Sequence, residues 1–110
     1  MIKVLATNII SPLGETTEQN YQAVKSGSSA LSVYDGWRNI PQVFTASLLS
    51  DEQSKRLLID GYTHFESIVI RSLAAALNDS DIDVVSARTI LILSTTKANV
   101  DELAAEEGSD

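Results

Sequence analysis

Two stretches of this 110-residue chain constrain its fold more than any others: Ile2–Ile10, IKVLATNII, and Arg88–Thr95, RTILILST. Both are rich in β-prone residues, and neither alternates apolar with polar. Such runs predict strands buried on both faces, each needing a layer above and a layer below. The first must stop at Ser11-Pro12-Leu13-Gly14. Pro12 has no N–H for a ladder and restricts Ser11 to extended geometry, and Gly14 allows the turn.

The segments between them supply few covering helices. Thr16 or Thr17 predicts an N-cap for a helix over Thr16–Ser26, with Thr16-x-x-Gln19 as a capping box. Glu15 and Glu18 at its start and Lys25 near its end suit the helix dipole, and Gly27 suits the position after the C-cap. Ser28–Pro41 reads as irregular, with Trp37 packing down to anchor the loop. Gln42–Leu49 reads as a strand, with Val43, Thr45 and Ser47 on one face and Phe44, Ala46 and Leu48 on the other. Ser50 or Asp51 caps a short helix through Leu58, which Gly61 separates from a long helix over Tyr62–Asn78. In the long helix Phe65, Ile68, Val69, Leu73, Ala76 and Leu77 form an apolar stripe. Asn78-Asp79-Ser80 ends it. Thr96–Glu107 has helical composition, and Gly108-Ser109-Asp110 reads as a fraying end.

Composition limits the function. A chain this short makes one domain at most, with one modest core. No apolar run approaches the roughly 20 residues that cross a bilayer, and no long apolar core or cleavage site follows Lys3, so neither a membrane span nor a signal peptide is expected. The chain has no cysteine, hence no disulfide, thiolate metal site or cysteine nucleophile of its own. The cytoplasm is the expected compartment, and the sequon Asn78-Asp79-Ser80 carries no weight there. The net charge is −7, and all the excess lies beyond residue 50. An acidic chain without a basic stripe argues against nucleic-acid binding.

The residues that could carry chemistry have plainer readings. His64, the one histidine, sits at the start of the long helix with no partner set by sequence, and reads as a partly exposed surface residue. Ser94-Thr95-Thr96-Lys97 matches a Ser-x-x-Lys pattern. Catalytic use would put the serine at the start of a helix, and the companion Ser-Asp-Asn and Lys-Thr-Gly motifs are absent. Asp79, Asp81 and Asp83 alternate as in a calcium loop, without its glycine or closing glutamate, and read as an acidic turn. Asp101, Glu102, Glu106 and Glu107 read as a solvated helix face. No catalytic, cofactor or metal residue is assigned, and no cofactor is expected.

The first thirty-one residues together resemble the N-terminus of β-ketoacyl-acyl-carrier-protein synthases, the condensing enzymes. The resemblance rests on the opening strand, Ser11-Pro12-Leu13-Gly14, the helix with Tyr21 at the family's usual tryptophan and Ala23-Val24 at its Ala-Leu pair, and the loop Gly27-Ser28-Ser29-Ala30-Leu31. It extends more weakly through Val43–Leu48, Tyr62–Leu77 and Arg88–Thr95. Ala6, Asn8 and Ala30 replace glycines usual in the family, and Thr95-Thr96-Lys97-Ala98 lacks the glycines that follow its third strand.

The resemblance implies a partial thiolase-like α/β fold, in the order strand–helix–strand–helix–strand, with a layered sheet. It implies the opening part of the family's N-terminal half, and an acyltransferase of fatty-acid or polyketide condensation with acyl carrier protein as partner of the intact protein. The family's cysteine nucleophile, and the histidines or histidine and asparagine that assist decarboxylation, lie beyond the matching region, so this chain is expected to be inactive alone. The alternative is a non-catalytic interaction or dimerisation protein that keeps part of the fold. Under either reading the two apolar strands lack covering layers, and the chain should self-associate or join a longer protein. Light scattering should report species larger than a monomer, together with binding of an apolar-surface dye. A compact monomer that binds no dye contradicts the expectation.

Overall fold

The computed structural model describes residues 1–100. They form a small mixed α/β protein with helices α1 (Thr17–Lys25), α2 (Asp51–Leu57) and α3 (His64–Asn78), and strands β1 (Ser32–Tyr34) and β2 (Phe44–Ala46). A short 3₁₀ turn, Trp37–Asn39, lies between the strands.

Each helix starts where a hydroxyl satisfies free backbone N–H groups. Thr16 Oγ1 accepts the Gln19 N–H at 3.0 Å, but the Gln19 side chain reaches back to the Glu15 N–H at 2.8 Å, one residue earlier than a capping box requires. Ser50 and Gln53 form a full capping box on α2, and Thr63 and Glu66 form another on α3. The Thr63 cap starts α3 at His64, two residues later than the expected Tyr62. Helix α1 closes as a Schellman motif, with Gly27 N–H on the Val24 carbonyl and Ser28 N–H on the Ala23 carbonyl. Gly27 sits at φ 80°, where a side chain would be strained.

The sheet differs from expectation. Its two strands pair antiparallel with Ser32 opposite Ala46, Val33 opposite Thr45 and Tyr34 opposite Phe44. The strand expected over Gln42–Leu49 is thus cut to Phe44–Ala46, and its partner lies in the segment expected to be irregular. Aromatic contact explains this. The Tyr34 and Phe44 rings stack across the ladder at 5.4 Å, and Trp37 meets Phe44 edge-on at 5.8 Å and Tyr34 at 6.4 Å. Trp37 does anchor its loop, but onto the hairpin. The Arg38 guanidinium lies 4.5 Å above the Trp37 ring, with Arg38 and Asn39 both in the left-handed region.

The larger correction concerns Ile2–Ile10 and Arg88–Thr95. Neither has a ladder partner among the described residues, so the expected layered sheet in strand–helix–strand–helix–strand order is not formed. A strand exists only through its neighbour's hydrogen bonds, and sequence propensity does not supply the neighbour. Of the helix expected over Thr96–Glu107, Val100 alone of the described residues has helical geometry; residues 101–107 and the expected end at Gly108-Ser109-Asp110 lie outside them.

The interior is correspondingly sparse. Among the described residues Leu57 is the one buried apolar side chain, and Asn20 and Ser67 are the buried polar ones. Ser67 is fully enclosed where α2 packs on α3. Its hydroxyl accepts the Ile59 N–H at 2.9 Å and donates to the Thr63 carbonyl at 2.7 Å. Arg71 Nε donates to the Leu57 carbonyl at 2.5 Å, which closes the joint between the two helices. The radius of gyration is 16.9 Å, against roughly 13 Å for a compact domain of similar length.

Two substitutions check this account. Asn20→Ala should lower the unfolding free energy by about 1–3 kcal/mol, because it strands hydrogen-bonding groups that the carboxamide now satisfies. Thr63→Ala should cost about 1 kcal/mol by loss of the α3 cap. Urea denaturation followed by circular dichroism reads both, and Val24→Thr on the exposed face of α1 should change little.

Candidate functional site

The turn Ser11–Gly14 is the best-defined feature near the N-terminal segment. Ser11 N–H donates to the Gly14 carbonyl at 2.8 Å, and Gly14 N–H returns to the Ser11 carbonyl at 3.1 Å. Asn20, projecting from α1, binds this turn to the segment before it. Its Nδ2 donates to the Ile9 carbonyl at 3.0 Å and the Thr16 carbonyl at 2.8 Å, and its Oδ1 accepts the Ser11 hydroxyl. Gly14 must be glycine for a steric reason: a Cβ there would lie 2.6 Å from the Gln19 Cβ. From the other side α2 holds the same turn, through Gln53 Nε2 to the Ser11 carbonyl at 3.3 Å and an Arg56–Glu15 ion pair.

The ion pair is a surface clamp. The Arg56 side chain is about half exposed. Its hydrogen bond to Glu15, reinforced by that carboxylate's charge, raises its pKa above arginine's ordinary range. A raised base stabilises the fold at every pH below that range and stops doing so only above it, so Arg56 adds no pH dependence near neutrality.

Asn8 continues the attachment. Its Nδ2 donates to the Glu15 carbonyl at 3.1 Å and to the Ser72 hydroxyl on α3 at 3.0 Å. Asn8 thus ties the N-terminal segment to the long helix. Leu5 and Ala6 line a gap beside Ala75 of α3 and its C-cap residue Asp79. The C-terminal segment lies on the neighbouring face of the same helix. Leu93 borders Phe65, Val69 and Ile70, and an apolar groove of about 350 Å³ runs between Leu73 and Leu77 on one side and Ile82, Val84, Ile90 and Leu91 on the other.

Both segments leave most of their apolar surface in solvent. Ile2 is 99% exposed and Val4 80%, while Ile90 and Ile92 are 83% and 85% exposed. The accessible surface is 8956 Å², against roughly 6000 Å² for a compact monomer of this mass. The difference, roughly 3000 Å², exceeds the roughly 1000–2500 Å² per partner that ordinary obligate interfaces bury. Residues 1–14 and 84–100 have Lys3, Arg88 and Lys97 as their charged side chains and no acid, in a chain of net charge −7. The acidic excess therefore lies outside these two stretches of sequence.

The side chains weighed for chemistry are not assembled into a site. His64 is exposed at the first turn of α3, on the rim of a cleft of about 480 Å³ beside Trp37, Arg38 and Asp51, and no described side chain hydrogen-bonds its ring. Ser94 and Lys97 occupy the unpaired C-terminal segment. There the Thr95 hydroxyl accepts the Ala98 N–H at 3.0 Å in a local turn, and Ser94 opens no helix. Asp79 caps α3 and Asp83 accepts the Val85 N–H at 3.1 Å, which fits an acidic turn. No group of carboxylates or His that could hold a metal occurs among the described residues, and Asp101, Glu102, Glu106 and Glu107 lie outside them. No described helix is long and apolar enough to cross a membrane. What the geometry offers is an uncovered apolar surface.

Sequence reading missed Asn20 as the node and Thr63 as a cap. Thr63-x-x-Glu66 is a legible capping box; Asn20 is one polar residue in a polar helix and carries no such signal. Exchanging Glu15 for Gln should lower the urea midpoint slightly at low ionic strength. That difference should vanish near 1 M salt, where charges on the surface are screened within about 3 Å. A difference that salt leaves unchanged contradicts the surface-clamp account.

No family model matches the chain, and neither a curated protein nor a solved structure is significantly similar to it.

Proposed function

We propose that this chain is a condensing-enzyme-like segment, the opening part of the N-terminal half of a β-ketoacyl-acyl-carrier-protein synthase-like acyltransferase, and that it performs no acyl transfer alone. In this reading Ile2–Ile10 and Arg88–Thr95 would become strands of a layered, thiolase-like α/β sheet only when other polypeptide supplies their ladder partners, and α3 would be the helix that covers one face. The single observation that carries it is the placement of these two segments on neighbouring faces of α3, with apolar side chains uncovered. Adjacent strands beneath one helix, still lacking the opposite layer, would leave such a surface. The Ser11–Gly14 turn held by Asn20 adds support, since it lies in the stretch on which the resemblance rests. The chain would supply architecture, and the thiol nucleophile would come from other polypeptide, because this sequence contains no cysteine. Acyl carrier protein would be a partner of the completed assembly.

The lack of a thiol together with the uncovered surface also favours the second reading, a non-catalytic interaction or dimerisation protein with part of the same fold. Two measurements test them, and the second separates them. Mass spectrometry of the 110-residue chain after incubation with acyl-acyl-carrier protein should show no covalent acyl adduct, and an adduct would overturn the inertness common to both. Co-expression with a polypeptide carrying the nucleophile helix and second half of a condensing enzyme should then yield a complex in which the amides of Ile90–Leu93 exchange more slowly. A stable self-associated chain that never forms that complex decides for the interaction protein.

A further inference from the structure

We draw no further inference here: the strongest candidate, the uncovered apolar surface formed by Ile2–Ile10 and Ile90–Leu93 on neighbouring faces of α3, carries nothing beyond the proposed function, because nothing in the structure shows whether further polypeptide or a second copy covers it.

Discussion

The Asn20 carboxamide is the interaction on which the rest of the N-terminal structure depends. One side chain bridges three pieces of backbone that would otherwise separate: the end of the first segment at Ile9, the turn at Ser11 and the start of α1 at Thr16. It is buried, and its three bonds use three of the four hydrogen-bonding positions of a carboxamide. In an interior with so little apolar burial, such a bond network matters more than it would beneath a full core. Polar groups removed from water must be paired, and their pairing specifies one arrangement of the chain.

The attachments then pass outward from that node. Gln53 and Arg56 fasten α2 to the turn and to Glu15, Ser67 and Arg71 fasten α2 to α3, and Asn8 fastens the first segment directly to α3. These are mostly polar contacts between side chains and backbone. They orient the elements, while the large apolar residues, which supply the main driving force of folding, remain on the outside. The elements are thus oriented with little apolar burial.

Much of the local structure is legible in the residues. The Gly27 terminator, the capping hydroxyls of Thr16 and Ser50, the break at Gly61 and the acidic turn after Asn78 act within a few residues of themselves, and each is found. The hairpin is less legible, because Ser32-Val33-Tyr34 is too short to show alternation and acquires its strand character from Phe44 across the ladder. The candidate surface is legible only in part. The apolar character of Ile2–Ile10 and Ile90–Leu93 is plain, but the approach of the first to α3 rests on Asn8 meeting Ser72, sixty-four residues away.

The sequence by itself determined most helix ends, which segments are apolar, and that no thiol chemistry resides here, since these follow from local sterics, hydropathy and residue type. Only the tertiary structure decided that the apolar segments lack ladder partners, that a short antiparallel hairpin is the one sheet among the described residues, and that Asn20 joins the turn to α1. The reason is physical. A cap or a terminator is satisfied by its own neighbours along the chain, whereas a strand and a buried carboxamide are defined by partners that folding alone brings near.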